Sequence, residues 1–566
     1  MNRIRQRRAP RGLACLKRIS KKSRTLGRVT ALLMVFVLAL PAVNAQTLPP
    51  TVDPEALQRL FERDRERLEE ERRLERERPD ALDEPAPPET PVRPDPGPEF
   101  ELRGVSFNES EFLNAEELAA LAEPYVGRQV RFAELDQLVA DVNAAYQRRG
   151  LFTARAVLPP QRIVDGVVSI LLVEGRLGKL VVSDNDYTRE EFIRRRIPLE
   201  AGEVLDGPAL RDALDRFNTD SELALRASMR AGAEFGETDV IILVAEPPRH
   251  RATVFLDNAG VESTGEYRLG AQWGISGLRG ASDQLGVHLL VSEGSVSTRT
   301  DYSTMLASTG GILHVGGHAN WIRIIDGPFE ELGIRGDSYG TEIGYSHPLA
   351  WRPAWDLYGL SRLGYARSTS QIDGEDIADN TLQRLSVGLR GRFRGGAYAG
   401  SVSQRIIRVE SSNILDESQG HTYYVGSFFW SQRPRSLPIM TLASGGWQFT
   451  SEELLPSSDL FQIGGPGSVR GYQQGVLAGV RGYFLNAEAH WRRQGALTPY
   501  AFLDHGRVLG QSTEQESITG WGIGVSYQWP QGVRVETSVS HAVDEVIPDQ
   551  DRVRLDFRLV YRFPGL

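Results

Sequence analysis

A glycine-rich stretch surrounds a single arginine late in the chain. It reads Gly464, Gly465, Pro466, Gly467, Ser468, Val469, Arg470, Gly471, Tyr472. Four glycines and a proline favour a sharply turning loop, and such a loop would present Arg470 at its tip. A guanidinium placed there can bind a carboxylate through two parallel hydrogen bonds, which a lysine cannot do. A plain flexible surface loop is the alternative interpretation.

A candidate partner for this arginine follows about thirty residues later, in the stretch Phe502, Leu503, Asp504, His505, Gly506. If this stretch is a β-strand, Phe502, Asp504 and Gly506 share one face, because side chains alternate along a strand. In the wall of a barrel, Asp504 would then point into the interior and could hold the arginine of a folded-in loop. A solvated acidic residue with no particular partner is the alternative.

The sequence offers little support for a catalytic site. HExxH and GxxxxGK do not occur, the nine histidines show no metal-ligand spacing, and Cys15 is the only cysteine. We therefore expect neither an enzyme nor a bound metal or cofactor. The triplet Arg335, Gly336, Asp337, on a predicted outer loop, could suggest adhesion, but matches of three residues arise readily by chance.

The first 45 residues have the pattern of a secretory signal peptide. They contain eleven Lys and Arg, no acidic residue, and an apolar run from Val29 to Val43 that ends in Val43, Asn44, Ala45. The run is shorter than a membrane-spanning helix needs, although an anchor is the alternative. Without this segment, 54 basic residues face 74 acidic ones, a formal charge of −20, which argues against a nucleic-acid partner.

Two segments without an ordinary core follow the signal. Residues 54–78 are dense in Glu and Arg with a thin apolar stripe, which predicts a helix that is solvated or lies in a polar, water-filled cavity. Asp53 and Pro54 are a suitable N-cap and first-turn pair. Residues 79–98 contain eight prolines and predict an extended linker.

Residues 99–175 and 176–248 predict two small α/β units with the same order of elements: strand, helix, helix, strand, strand. The predicted segments of the first unit are Phe100–Phe107, Ala115–Ala122, Phe132–Gln147, Ala154–Leu158 and Val164–Val173. Those of the second unit are Gly178–Val182, Arg189–Arg196, Pro208–Phe217, Ala224–Ala231 and Asp239–Ala245. Sheets this small have open edges, and we expect the strands near Ala154 and Ala224 to be edge strands to which another strand could add.

From residue 249 to the end the helical period disappears, and apolar residues alternate with polar ones. In the last strand Val553, Leu555 and Leu559 fall on one face and Arg554, Asp556 and Arg558 on the other. A soluble sandwich also alternates. Sixteen strand candidates and connections that are long after odd-numbered strands favour a transmembrane barrel. The predicted long connections follow the fifth, seventh, ninth, eleventh, thirteenth and fifteenth strands.

The motif at Val469, Arg470, Gly471 and Tyr472, with Phe502 to Gly506, resembles the signature of the outer-membrane insertase and translocator superfamily. The two α/β units resemble POTRA domains (polypeptide-transport-associated). Two such units with a charged helix and a Pro-rich linker resemble the TpsB transporters of two-partner secretion, which include haemolysin activators and filamentous-haemagglutinin exporters. The resemblance covers the chain from about Asp53 onwards.

The resemblance implies a fold and a function. The fold is two α+β periplasmic POTRA domains followed by an antiparallel transmembrane β-barrel of about 16 strands in the outer membrane. Arg470 would pair with Asp504 on the inner wall, residues 46–78 would plug the pore, and the POTRA domains would capture a secreted TpsA-like polypeptide. That partner could be an adhesin, a cytolysin or a contact-dependent toxin. Further expected contacts are outer-membrane lipid, periplasmic chaperones and the barrel-assembly machinery, with a monomeric barrel.

Two other functions share parts of this pattern. An insertase that assembles other barrels shares the superfamily loop but typically has more POTRA units and no plug helix. A passive porin would explain the barrel but not the two α/β units. One departure concerns the C-terminus, Phe563, Pro564, Gly565, Leu566, where many such barrels end on an aromatic residue. Phe563 could serve as the assembly signal instead.

Overall fold

The computed structural model describes residues 50–75, 82 and 99–564, except 198, 307, 416, 493–494, 511–515 and 549. The predicted signal peptide and all of the predicted linker except Leu82 lie outside the described residues. None of the described helices combines the length and hydropathy that a membrane crossing requires.

The charged segment forms helix α1, Pro54–Glu75. Asp53 caps it, because its carboxylate accepts hydrogen bonds from the backbone N–H of Glu55 at 2.9 Å and of Ala56 at 3.4 Å. The capping residue is the one that the sequence predicts, and Pro54 occupies the first turn, where its missing N–H costs no hydrogen bond.

The first α/β unit packs two helices against small sheets. A core of buried side chains, among them Leu102, Leu135, Val142 and Tyr146, joins the helices to the strands. Its main sheet has the order β2-β5-β4, and β1 pairs separately with β3. Its elements are β1 Phe100–Leu102, β2 Gly104–Phe107, α2 Ala115–Ala122, β3 Arg128–Val130, α3 Phe132–Arg148, β4 Arg155–Val157 and β5 Val167–Val173.

The second unit repeats this arrangement around its own core, which includes Leu177, Leu210, Leu214 and Ile242. Its sheet has the order β6-β8-β7, so β6 and β7 are the edges. Its elements are β6 Arg176–Ser183, α4 Glu190–Arg194, α5 Gly207–Asp220, β7 Ala224–Ala231 and β8 Glu237–Ala245. The second unit therefore has the predicted order of strand, helix, helix, strand and strand, and the first unit departs from it in its strands.

One predicted strand differs from the structure. The strand expected over Phe100–Phe107 is two strands, since β1 leaves the main sheet and pairs with β3, Arg128–Val130. No periodicity predicts β3, because three residues are too few to show one. The consequence is a small second sheet that joins the beginning of the unit to the turn before α3.

The rest of the chain forms a closed antiparallel barrel of sixteen strands in the described residues, and β26 pairs with β9 to close it. Sixteen is also the number of strands that the sequence predicts. The barrel strands are β9 His250–Asp257, β10 Arg268–Ser276, β11 Gln284–Val291, β12 Ser295–Met305, β13 Ile312–Arg323, β14 Arg335–Arg352, β15 Trp355–Ile372, β16 Glu375–Arg394, β17 Tyr398–Ser412, β18 Ser418–Gln432, β19 Ile439–Phe449, β22 Arg481–Trp491, β23 Leu497–Leu509, β24 Ser517–Gln528, β25 Val533–Ala542 and β26 Val553–Arg562.

The predicted alternation of connection lengths is wrong at two places. The connection after β15 is the two-residue turn Asp373 and Gly374, and the one after β17 is no longer than the one after β18. Residues interpreted as a long loop instead lengthen β15 and β16 into a hairpin. Asp373 and Gly374 both have positive φ, 53° and 86°, as tight hairpin turns require.

The barrel surface has the alternation that a membrane requires. Large apolar side chains such as Leu269, Trp273, Val553 and Leu555 are exposed on the outside, whereas Arg268 and Asp556 on the same strands are buried inside. Apolar residues outside and polar residues inside are typical of outer-membrane barrels. The triplet Arg335–Gly336–Asp337 lies at the beginning of β14, paired with neighbours on both sides, and not on a loop. The strand pairing removes the loop presentation that adhesion would need.

The connection between β19 and β22 contains two short strands, β20 Phe461–Ile463 and β21 Leu477–Gly479, which pair with each other. Between them lies the glycine-rich stretch. Phe461, Ile463, Val469 and Tyr472 form a buried cluster with side chains of the barrel wall. The connection therefore folds into the barrel, and we call residues 450–480 the inward loop.

Candidate functional site

Arg470 of the inward loop binds Asp504 of β23. Its Nε donates to Asp504 Oδ2 at 2.7 Å, its second terminal nitrogen donates to Oδ1 at 2.8 Å, and its backbone N–H donates to Oδ2 at 3.1 Å. The side chain of Asp504 is fully buried and that of Arg470 nearly so. The structure therefore brings together the two residues that the sequence singled out, in the bidentate geometry expected of an arginine.

The guanidinium also lies on an aromatic ring. The Cζ of Arg470 is 3.6 Å from the centroid of the Phe502 ring, which is a cation–π contact. Phe502, Asp504 and Gly506 do share one face of β23, because all three are buried while Leu503 is exposed.

The other residues of the motif fix the backbone around Arg470. The hydroxyl of Tyr472 donates to the carbonyl of Thr519 at 2.8 Å and accepts from the N–H of Asp544 at 2.9 Å. Gly471 has φ of 96°, a conformation that residues with a Cβ rarely adopt. Val469 is fully buried, and a Cβ on Gly506 would lie 3.0 Å from it. The loop and the wall are thus closely matched in shape.

Sequence reasoning missed a second carboxylate in this site. Glu488 of β22 lies 2.7 Å from the remaining terminal nitrogen of Arg470 and 2.6 Å from His490 Nε2. Asn486, two residues earlier on the same face, pairs with Asp504 across the sheet and donates to the carbonyl of Ser468. Inward-facing alternation on β22 was the available signal, but the partner strand was needed to locate it.

Helix α1 contacts the inward loop directly. Arg59 binds Asp459 and donates to the carbonyl of Ser458 at 2.7 Å, and Arg63 donates to the carbonyl of Gln462 at 2.8 Å. Asp459 also accepts from Tyr423 at 3.0 Å. The loop that Arg470 anchors is therefore itself part of the binding site of α1.

Helix α1 is held to the barrel wall mainly by ion pairs. It begins near the strand ends opposite to His250, where Asn320 donates to the carbonyl of Pro54 at 2.8 Å and Ser368 donates to Asp53 at 3.2 Å. Further along, acidic residues of α1 face arginines of the wall. The pairs are Glu55 with Arg384 at 2.7 Å, Glu62 with Arg299 at 2.6 Å, and Glu66 with Arg362 at 3.3 Å and Arg405 at 3.4 Å.

The apolar side chains of α1 contribute less to this interface. Leu57 and Leu60 are buried, and Phe61 lies under the guanidinium of Arg268 at 5.3 Å. A cavity of about 120 Å³ remains between α1 and the wall, lined by Phe61, Glu62, Gln272 and Arg299 among others. Polar walls and incomplete packing distinguish this contact from an ordinary hydrophobic core.

The second α/β unit joins the barrel through buried charges. Asp220, the last residue of α5, lies 2.9 Å from Arg392 of β16, which also binds Asp356 of β15 at 2.7 Å. Arg394 binds the other oxygen of Asp356 at 2.9 Å. Arg196 also donates to the carbonyl of Leu306 at 2.6 Å. These contacts fix the unit against the ends of the strands.

Each α/β unit has an asparagine on its longer helix that covers one edge strand. Asn143 of α3 accepts from the N–H of Ala156 at 2.7 Å and donates to its carbonyl at 3.4 Å. Asn218 of α5 accepts from the N–H of Leu225 at 2.7 Å and donates to its carbonyl at 2.9 Å. An added strand would need these same backbone groups. The two asparagines therefore limit strand addition to the remaining positions of β4 and β7.

Comparison with protein families gives two matches. Residues 236–527 match the haemolysin secretion/activation protein family ShlB/FhaC/HecB, and residues 100–175 match the ShlB-type POTRA domain. The first match alone covers more than half of the chain. The second α/β unit lies largely between the two matched ranges.

Individual relatives are distant but similar in length. The heme/hemopexin transporter protein HuxB of Haemophilus influenzae (strain 86-028NP) is 24% identical over 483 residues, 79% of this chain and 84% of the relative. The outer membrane transporter CdiB of Dickeya dadantii (strain 3937) is 23% identical over 458 residues, 76% of this chain and 80% of the relative. The structure of CdiB from Escherichia coli has a TM-score of 0.66 at 19% identity, covering 92% of this chain and all of that chain.

Proposed function

The chain belongs to the ShlB/FhaC/HecB family of haemolysin secretion/activation proteins, the TpsB transporters, and we propose that its α/β units capture the partner, its barrel is the pore and helix α1 is a removable plug. It is an outer-membrane transporter with periplasmic POTRA domains, and it exports a secreted partner of the TpsA type by two-partner secretion. The curated relatives are transporters, which favours this function over the insertase, the porin or an enzyme.

The single observation that supports this assignment of roles is the way in which α1 lies in the lumen. It crosses a closed sixteen-stranded barrel and is bound by ion pairs and hydrogen bonds rather than by an apolar core. Ion pairs that are partly exposed, such as those of Glu66 with Arg362 and Arg405, exchange readily for water, whereas a packed apolar interface does not. Withdrawal of α1 would leave a water-lined channel that is wide enough for an extended polypeptide.

Capture would take place on the α/β units. An unfolded partner would add as a strand to β4 or β7, so that backbone hydrogen bonds give affinity and side-chain pockets give specificity. Asn143 and Asn218 already bind Ala156 and Leu225, so the added strand would begin beyond these residues. Folding of the partner outside the cell would supply the driving force, since no nucleotide motif is present.

We assign the inward loop a positioning role. Val469, Arg470, Gly471 and Tyr472, together with Phe502, Asp504 and Gly506, would hold the loop so that Asp459 and the carbonyl groups of Ser458 and Gln462 meet α1. The motif would then act on transport through the plug and the shape of the lumen. It would not bind the partner itself.

The remaining assignments follow the sequence. Residues 1–45 would be a signal peptide, 46–78 the plug segment, 79–98 the linker, 99–175 and 176–248 the two POTRA units, and 249–566 the barrel. Periplasmic chaperones and the barrel-assembly machinery would deliver a monomeric barrel to the outer-membrane lipid.

The experiment that tests this function requires a secreted protein of the TpsA type from the same genome, which would be sought first among the neighbouring genes. Coexpression should place that protein in the medium, and removal of residues 99–175 should leave it in the periplasm while the barrel still assembles. If depletion of the chain instead lowered many outer-membrane proteins and no single secreted one, the insertase would be the better assignment.

A further inference from the structure

The predicted linker does not run free of the second unit. Leu82 forms an isolated parallel bridge with Ala227, in the middle of β7. The side chain of Leu82 is only 4% exposed and belongs to the same buried cluster as Leu210, Leu214 and Ala227. One linker residue is therefore part of the core of the second unit, and it pairs with the edge of that unit's sheet.

This position is the next one along β7 that strand addition could use. Outward-facing backbone groups recur every second residue along a strand. Those of Leu225 are bound by Asn218, so the next outward-facing residue is Ala227, where Leu82 pairs. Asn218 and Leu82 therefore cover two successive outward-facing residues of β7, Leu225 and Ala227.

We propose that the linker occupies the partner-binding edge of β7 as an internal substitute for the partner, and that the partner releases the plug by displacing Leu82. This inference rests on the proposed function, since it concerns the same capture edge. The fitting partner is an extended segment that runs parallel to β7 and places one large apolar side chain where Leu82 lies.

Charge complementarity supports this choice of occupant. In the sequence, Leu82 is flanked by Asp80, Asp83 and Glu84. On β7, Arg226 and Arg230 lie on the exposed face, and Arg230 is also paired with Asp239 of β8 at 3.3 Å. A partner segment that competes with the linker would accordingly combine its apolar residue with acidic neighbours.

Chain length connects this edge to the plug. Helix α1 ends at Glu75, seven residues before Leu82, and seven extended residues span at most about 25 Å. The helix itself is about 33 Å long at 1.5 Å per residue. With Leu82 in place, the tether is shorter than the helix that has to leave. Once Leu82 is released, the tether extends to β1 at Phe100 and spans up to about 85 Å.

The first test is a binding experiment on the full-length protein in detergent. Leu82→Asp should expose the edge, because a carboxylate is costly to bury in an apolar cluster. A labelled peptide of residues 77–88 should then bind this variant about tenfold or more tightly than the wild type, in which the tethered linker competes at high effective concentration. Val92→Asp, in the same linker, is the matched control and should bind like the wild type. Equal binding by all three proteins would overturn the proposal.

A second variant covers the case in which Leu82→Asp disturbs folding. Leu82→Cys combined with Ala227→Cys joins the paired residues, and the remaining cysteine, Cys15, lies in the predicted signal peptide. Oxidised protein should lose secretion of the partner by about tenfold or more and regain it on reduction, since the tether is then locked. Unchanged secretion by the disulfide-linked protein would refute the inference. Secretion by the wild type and by Val92→Asp reports on the proposed function separately.

Discussion

At the scale of single residues, Arg470 is the centre of a largely buried ionic site. It has carboxylates on two sides and an aromatic ring beneath it, contributed by Asp504, Glu488 and Phe502. A buried charge that loses its partner is unfavourable by about 3–5 kcal/mol. The pair therefore fixes where the inward loop lies, while the hydrogen-bonded wall of the barrel does not depend on it.

The first prediction concerns Arg470→Ala. Secretion of the partner should be abolished while the barrel keeps its resistance to unfolding in detergent, because the substitution releases a loop and breaks no strand pairing. Arg470→Lys should not restore secretion, since an ammonium cannot form the two parallel hydrogen bonds. Partner in the culture medium and heat-dependent gel mobility are the measurements.

Arg507→Ala is the matched control for this substitution. Arg507 lies on the same strand as Asp504 and pairs with Glu516 at 2.9 Å, but about half of its side chain is exposed. An exposed pair contributes about 0–1 kcal/mol, so secretion should be unchanged. Normal secretion by Arg470→Ala would contradict the role assigned to the loop.

The second prediction separates the two carboxylates. Glu488→Gln keeps the bidentate Arg470–Asp504 pair, whereas Asp504→Asn removes the charge that receives three hydrogen bonds from Arg470. Secretion should therefore fall only partly in the first variant and almost completely in the second. Equal loss in both, measured as partner in the medium per folded barrel, would show that Glu488 is as important as Asp504.

The sequence predicted this site only in part, and the reason is physical. The glycines and the strand alternation identify Arg470, Asp504 and Phe502, because both signals are local. Glu488 and Asp459 have no local signal, since their importance arises from contacts with residues 18 or more positions away. Which of the many inward-facing charges meets the arginine depends on strand register, which a single strand does not reveal.

At the scale of elements, α1 is a helix whose interface is charged. The sequence predicted a helix that could not lie in an ordinary core, and the structure gives its place as the lumen, paired with Arg299, Arg362 and Arg384. The buried Leu57 and Leu60 could not be assigned in advance, because two leucines on a charged helix do not show which face is covered.

The third prediction tests the strength of this interface. Glu62→Gln combined with Glu66→Gln removes two of its carboxylates and leaves Arg299, Arg362 and Arg405 with less negative charge to bind. The plug should leave more often, so single-channel recordings in planar bilayers should show a several-fold higher open fraction.

Two comparisons make this experiment decisive. Glu190→Gln combined with Glu191→Gln removes two exposed carboxylates from α4 and should leave the conductance unchanged. Higher salt should raise the open fraction of the wild type, since screening weakens exposed and partly exposed ion pairs. If neither Glu62→Gln combined with Glu66→Gln nor higher salt raised the open fraction, apolar contacts, and not ion pairs, would be what retains α1.

The strands of the barrel were more predictable than their connections. Alternation of apolar and polar residues identified all sixteen strands, because each strand faces lipid on one side and polar lumen on the other. It could not identify the ends of β15 and β16, since strand residues beyond the membrane are polar on both faces and resemble a loop. The Asp373–Gly374 turn was the overlooked local signal.

At the scale of the whole molecule, buried charges join the second unit to the barrel, and under the proposed function this joint would set where a captured partner enters. Arg392 is 2% exposed and lies between Asp220 of the unit and Asp356 of the wall. Three buried charged groups thus connect the second α/β unit to the barrel.

The fourth prediction is that Arg392→Ala loosens this joint. It leaves Asp220 and Asp356 buried with less positive charge nearby, a loss of about 3–5 kcal/mol at the contact. Hydrogen exchange in the second half of α5 should accelerate, while exchange in α3 of the first unit should not change. Arg408→Ala, which removes an exposed pair with Glu410, is the control. Unchanged exchange in α5 would show that other contacts hold the unit.

A polypeptide that passes through the lumen would come within reach of inward-facing side chains, and site-specific photocrosslinking detects such contacts. Gln272 and Trp273 are neighbours on β10, but Gln272 lines the cavity beside α1 whereas Trp273 is exposed on the outer surface. A photoreactive residue at each position should be probed while the partner is stalled by a folded C-terminal domain. Crosslinks to the partner should form from position 272 and not from position 273. Crosslinks from position 273 alone, or from neither position during active secretion, would contradict passage through the lumen.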